Sequence, residues 1–381
     1  MNISDSPVSR RSVLAAGAAV VGGLGLAGGI DVAGGIRPAR AAARPAALTL
    51  TQQAGQRVIF SYPGLTPPSS LLNQISAGQV GGVIFFGENI QSLDQIAGVV
   101  DQLVAAQRSS PISSPLLLMT DQEGGQVRRL PGAPTMSEKQ VGASADPVAA
   151  ATAAGTGAAQ NLNGVGMNCN LAPVLDVYRT AGDFDDQYGR SYSSDPNVAA
   201  ECGAACVTAH LQQRVAPTGK HFPGLGSATK NQNTDATTVT LTVSLSNLRN
   251  IDEVPFRSAI SAGVPLIMTS WAIYPALDST RPAGLSSTIV GSELRQRLGF
   301  TGVTITDALE AGALNAYGTS SQRGVLAAQA GMDLLLCSAR DVSQGQSTVT
   351  ALVNAVNQGQ LDSATFTSAV NRVLMLRNTV S

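Results

Sequence analysis

Eight short apolar runs recur along this chain, and most of them end in a charged or polar residue. They lie at 56–60, 80–86, 115–120, 165–171, a stretch ending at Lys220-His221, 264–269, 302–306 and 332–337. The unbroken character of 80–86 and 115–120 suits strands buried on both faces, as in parallel sheets. Segments with helical spacing separate most of the runs. The clearest are 94–107, 147–162, 196–213, 245–262, 292–298, 322–330 and 347–356, with a last amphipathic segment at 363–380. In 94–107, Ile96, Val99, Val100 and Leu103 share one face. About eight strands alternating with helices predict an α/β fold, a (β/α)8 barrel whose chemistry sits at the strands' C-terminal ends. An open doubly wound sheet would need a glycine-rich phosphate turn after the first strand, and none is there. The last helix is expected to close the barrel.

The 381 residues fit one large domain. A formal net charge of −1 offers no basic face for nucleic acid. Residues 1–43 read as an export signal that precedes the fold. Ser9-Arg10-Arg11-Ser12 is a twin-arginine pattern, a small-residue-rich apolar segment follows, and Ala39-Arg40-Ala41 and Ala41-Ala42-Ala43 are processing-type sequences. The alternative is an N-terminal membrane anchor. The expected organisation is therefore a signal at 1–43 and one barrel domain at 44–381, with a secreted or cell-envelope location and no stable membrane insertion once the signal is removed. Cys169, Cys202, Cys206 and Cys337 form no C-x-x-C pattern, and His210 and His221 are the two histidines. A Cys/His metal site is not expected, and the thiols read as reduced core residues. No metal or organic cofactor is implied.

The polar ends of the runs hold the candidate chemistry. Asp307 either caps a following helix or acts at the barrel mouth. Asp121 opens Asp121-Gln122-Glu123-Gly124-Gly125-Gln126-Val127-Arg128-Arg129, where two acids, a glycine pair and two arginines could converge on a hydroxyl-rich ligand, or pair as a surface loop. Arg190 follows an acidic loop (Asp183, Asp185, Asp186), as an ion pair or a ligand contact. Lys220 and His221 are adjacent, so both face one ligand only if the strand has bent there. Pro223 and Gly224 allow that.

These segments together resemble glycoside hydrolase family 3, and within it the single-barrel bacterial β-N-acetylglucosaminidases. The resemblance runs through Gly64-Leu65-Thr66-Pro67-Pro68, Gly81-Gly82-Val83-Ile84-Phe85-Phe86, Asp121-Gln122-Glu123-Gly124-Gly125, Leu171-Ala172-Pro173-Val174-Leu175-Asp176-Val177, Gly189-Arg190-Ser191-Tyr192, Lys220-His221-Phe222-Pro223-Gly224, Gly299-Phe300-Thr301-Gly302-Val303 and Asp307. It implies a carbohydrate substrate and a retaining mechanism with Asp307 as nucleophile. Asp121, Arg129, Arg190, Lys220 and His221 match positions that hold the sugar.

One loop departs from that pattern. Where the N-acetylglucosaminidases carry an Asp-x-His acid/base dyad, this chain reads Leu225-Gly226-Ser227-Ala228-Thr229-Lys230-Asn231-Gln232-Asn233-Thr234-Asp235, with Asn231 and Asn233 at the dyad positions. Neither asparagine can act as a general acid. Asp235 is the first candidate to replace the dyad, with Glu123 or the acids of 183–186 behind it; His210, upstream of the motif, is a poor one. The expected activity is hydrolysis of terminal β-N-acetylglucosaminides. The alternatives are a weakly active or inactive sugar-binding relative, and a family-3 enzyme of other specificity such as a β-glucosidase.

Overall fold

The structure is a computed structural model and describes residues 48–380. The signal sequence expected at 1–43 lies outside the described residues. Eight parallel strands close into a barrel: β1 (Val58–Phe60), β2 (Gly82–Ile84), β3 (Leu117–Thr120), β4 (Cys169–Asn170), β5 (Ala216–Phe222), β6 (Leu266–Thr269), β7 (Val303–Ala308) and β8 (Leu334–Leu336). Each pairs with its neighbours in chain order, and β8 returns to β1 through Val58↔Leu335 and Ile59↔Leu336. All eight runs thus became strands of one sheet. Among the described residues no helix is long and apolar enough to cross a membrane.

Strand alternation explains why the runs are apolar throughout. Ile59, Ile84, Leu117, Met119, Ile305, Leu334 and Leu336 point inward into one cluster. Val58, Phe60, Val83, Leu118 and Leu335 point outward into the layer beneath the helices. Successive residues face two different apolar surfaces, so both sets are mostly apolar. All four cysteines are buried and free.

The N-terminal end of the barrel is shut by the last helix, Ser363–Arg377, whose Val373 and Leu376, with Val380 beyond it, join the inward-facing cluster. Arg377 is fully buried and donates to the carbonyls of Ser114 and Pro115, just ahead of β3, and to Gln56 ahead of β1. Buried Asp333 accepts from Arg295 at 2.6 Å, from Arg372 at 2.7 Å and from the Thr304 N–H at 3.0 Å. Closure there leaves the opposite, C-terminal end as the open mouth.

Two helices differ from the sequence reading. The segment expected as one helix over 245–262 is broken into Leu245–Asn247, a wide π turn at Leu248–Asp252, and Val254–Ser261. Pro255 has no N–H to continue the i→i−4 ladder. The Glu253 N–H instead reaches back to the Leu248 carbonyl at 2.9 Å. The segment expected at 292–298 is part of a longer π-type turn, Thr288–Arg297.

Candidate active site

The loops after the strands surround a cavity of about 430 Å³ at the mouth, lined by Asp121, Arg129, Arg190, Lys220, His221, Asp235 and Asp307 among others. All seven residues singled out in the sequence therefore meet in one place. They come from β5, β7 and the loops after β3, β4 and β5, held by a barrel whose strand ends converge.

Its floor is a dense ion-pair network. Lys220 Nζ lies 2.7 Å from Asp121 Oδ1 and 2.7 Å from Glu123 Oε1. Arg190 clamps Glu123 with Nε and Nη2 at 2.8 and 2.9 Å and reaches Asp185 Oδ1 at 2.7 Å. Arg129 approaches Asp121 at 3.9 Å and is a third exposed, so it belongs to the rim. Lys220 is almost completely buried. Burial opposes its charge, but Asp121 and Glu123 outweigh that and hold it above the usual ammonium range. Burial likewise opposes the charge of Glu123, and Arg190 and Lys220 overcome it and hold the carboxyl down at about 2. Glu123 is thereby removed as a proton donor. Arg190 is both the ion pair and the cavity residue that the sequence left as alternatives.

Lys220 and His221 both line the cavity, and the peptide bond between them is cis. Behind His221, Asp176 is completely buried. It receives His221 Nδ1–H at 2.7 Å and the Leu225 N–H at 2.5 Å. Burial disfavours the imidazolium, yet Asp176, helped by Asp185, raises the His221 pKa above its ordinary value. The pairing with Asp176 therefore favours the protonated ring over the neutral one, and the His221 side chain lines the cavity. Asp176, Asp185 and His221 each bring one potential ligand atom within 4.8 Å of the others, the one such group among the described residues. A cation there would have to replace the proton between His221 and Asp176.

Asp307 sits within β7, with the Ala308 N–H donating to its Oδ1 at 2.7 Å. No helix starts at this point, so of the two sequence readings the mouth position holds and the helix cap does not. Two neighbours fix the segment. Buried Trp271 donates Nε1–H to the Ala308 carbonyl at 2.8 Å. Glu310 is occupied by Ser338 Oγ at 2.6 Å and Gln344 Nε2 at 2.9 Å.

The loop after β5 brings Asp235 to the same cavity as Asp307. Its course is set by the loop after β7: the Gly312 N–H donates to the Asp235 carbonyl at 2.8 Å and the Ala313 N–H to the Thr234 carbonyl at 3.0 Å. Asn233 accepts the Asp235 N–H on its own Oδ1 at 2.8 Å, an Asx turn that starts the bend. Asp235 is open to the cavity water yet crowded by loop atoms. Desolvation first, then the charge of Asp307, push its carboxyl up to about 6. The other acids considered face elsewhere. Asp183 accepts from the Arg179 and Thr180 N–H groups, Asp186 pairs with Lys139 at 2.7 Å, and Asp185 lies buried behind Arg190. His210 is buried outside the cavity, with Nδ1 at 2.8 Å from the Cys206 carbonyl and Nε2 at 2.9 Å from Asn170.

Sequence reasoning did not assign site roles to Asp176, Phe86, Glu310 or Arg340. Each stands within a few residues after a strand, and that position was the available signal.

Fold and mouth together define a (β/α)8-barrel protein with a deep, charge-lined pocket suited to a hydroxyl-rich ligand. Residues 50–376 match the family described as glycosyl hydrolase family 3 N terminal domain. The chain belongs to that family. It is 47% identical over 344 residues, 90% of this chain and 97% of the relative, to an uncharacterized secreted glycosyl hydrolase of Arthroderma benhamiae. It is 33% identical to a beta-hexosaminidase of Tolumonas auensis, over 68% of this chain and 75% of that one. Among solved structures, a β-N-acetylhexosaminidase of Beutenbergia cavernae superposes with a TM-score of 0.79 at 33% identity, covering 87% of this chain and 99% of that one. A family 3 β-N-acetylglucosaminidase of a Paenibacillus strain superposes with a TM-score of 0.82 at 32% identity, and the match covers 87% of this chain and 63% of that longer one.

Proposed function

We propose that the protein is an exported retaining β-glycosidase acting on terminal β-N-acetylglucosaminides, with Asp307 as nucleophile and Asp235 as acid/base. The observation that carries this reading is the pair of carboxyl groups, Asp307 and Asp235, on one cavity beside the ion-paired Lys220 and Arg190. Two acids with different surroundings can divide the work of attack and proton transfer. In the first step an Asp307 oxygen bonds to the anomeric carbon as the glycosidic C–O bond breaks, and the departing oxygen takes the proton from Asp235. In the second, Asp235 takes a proton from water, the water oxygen bonds to the anomeric carbon, and Asp307 leaves. Lys220, Arg190, Arg129, His221 and Asp121 hold the sugar by charged hydrogen bonds.

The names of the relatives support the acyl-amino sugar, and the Arthroderma protein's description supports secretion. Residues 1–43 would supply a twin-arginine route, leaving 44–381 as the mature barrel. On this reading Asn231 and Asn233 stand where a His-based dyad would be, and the proton donor has moved to Asp235.

The test is intact-protein mass after brief mixing with a 2-fluoro-2-deoxyglycoside, with turnover of dinitrophenyl β-N-acetylglucosaminide followed in parallel. Activated leaving groups need no proton, so the nucleophile is visible whatever the acid. A covalent adduct and turnover that both vanish in Asp307→Asn are expected. Sugar binding with neither adduct nor turnover would replace this reading with a carbohydrate-binding one.

A further inference from the structure

One corner of the mouth is unused by that mechanism. Arg340, four residues beyond the end of β8, and Phe86, just beyond β2, both line the cavity. These strands flank β1, across the barrel from the Lys220–His221 end of β5. The Arg340 guanidinium lies 4.4 Å from the centre of the Phe86 ring. Its ion-pair partner, Glu88, is 3.4 Å away and itself 44% exposed, while Arg340 is 48% exposed.

The backbone holds Arg340 there at a cost. Its φ is 58°, in the left-handed region, which is unfavourable for a residue with a Cβ. The other such residue among those described, Arg214, follows a helix end, where that conformation is customary. Arg340 instead lies between a strand and the next helix. It is pinned by its N–H on Ser61 Oγ at 2.9 Å, and Ser61 Oγ in turn donates to the Cys337 carbonyl at 2.9 Å. The preceding Ala339 N–H is held by Gln344 at 2.9 Å. The Phe86 ring packs on the barrel's inner cluster, so the shelf beneath the guanidinium is anchored to the core.

Depth assigns the shelf a role. The buried Lys220, Glu123 and Arg190 form the closed floor, so a terminal sugar sits there with its anomeric bond toward Asp307. Whatever it is joined to extends outward to the half-exposed rim. We propose that Arg340, laid on Phe86, is the subsite for the leaving group's first pyranose. The guanidinium plane stacks on the sugar's face, and its outward N–H groups bond ring substituents such as an acetamido oxygen. The inference rests on the glycosidase reading above and deepens it: the substrate is an oligosaccharide whose second sugar is gripped, not a glycoside of arbitrary leaving group.

The test compares N,N′-diacetylchitobiose with N-acetyl-β-glucosaminyl azide, whose three-atom leaving group has no ring to place on the shelf. Arg340→Gly removes the guanidinium and relieves the left-handed backbone, so it folds at least as well as the parent. Its kcat/KM on the disaccharide is expected to fall about tenfold or more, with the azide unchanged within about twofold. Arg340→Lys keeps the charge and loses the plane, and is expected to behave like Arg340→Gly. Equal losses on both substrates, no loss on either, or full recovery by lysine would each overturn the subsite while leaving the glycosidase standing. A parent protein that cleaves neither compound would overturn the glycosidase reading, and the subsite with it.

Discussion

Replacing Asp235 by asparagine separates proton donation from every other function of the site. The structure sets the size of the effect. With its carboxyl at about 6 instead of the ordinary 3.8, roughly one molecule in ten carries the proton at pH 7, against roughly one in 1,500 for an unperturbed aspartate. Burial and the nearby Asp307 thus raise the competent fraction about a hundredfold. The parameter to follow is kcat/KM, because it ends at formation of the glycosyl-enzyme, the step in which the leaving oxygen is protonated. For a poor leaving group such as N,N′-diacetylchitobiose, Asp235→Asn is expected to lower kcat/KM by about 10²–10⁴-fold. For the dinitrophenyl glycoside the loss should stay within about tenfold, since that phenolate departs without a proton. The pH profile gives a second reading. A raised acid is fully protonated below its pKa and loses its proton as pH rises, so the parent's rate on chitobiose should decline above about pH 6, and the variant should lack that limb. Equal losses on both substrates, or an unchanged basic limb, would refute the reasoning and return the acid to an unassigned group.

Two further outcomes follow from the same geometry. A Cβ on Gly312 would stand 2.2 Å from the Ala236 carbonyl oxygen, so Gly312→Ala must push away the turn that presents Asp235; it should slow chitobiose more than the dinitrophenyl glycoside, and equal rates with the parent would show that the loop contact does not position the acid. His210 is held neutral in the fold by burial, down to about 4, so unfolded chain takes up a proton below about 6.5 that the native state refuses. Stability from this group is present above pH 6.5 and lost as pH falls towards 4. The pH-dependent part should reach about 2–3 kcal/mol by pH 4.5, and His210→Gln should lose it, as urea unfolding of both proteins at pH 7.5 and 4.5 would show.

The barrel was legible because its signal is carried by pattern. Inward and outward faces of each strand are both apolar, so Ile59 and Phe60 read as one run although they serve different layers. The helix over 245–262 was misread for the opposite reason: its apolar spacing is helical, but Pro255 and the backbone bond from Glu253 to Leu248 break its ladder, and spacing does not register a missing N–H. The candidate site was legible wherever a charged residue ended an apolar run, as at Asp121, Lys220 and Asp307. It was harder to read where a role depends on what stands behind a residue. Asp176 favours a charged His221, yet 45 residues separate them and only the closed barrel brings them to 2.7 Å. Glu123 shows the converse. Beside Asp121 in sequence it reads as an equal candidate acid, but Arg190 and Lys220, 67 and 97 positions on, hold it ionised. Carboxyl side chains therefore meet different surroundings around one mouth: Glu123 is held ionised by two cations, and Asp235 is raised by desolvation and by Asp307. Identity in the sequence names the candidates, and the burial and charges that the fold packs around them separate Glu123 from Asp235.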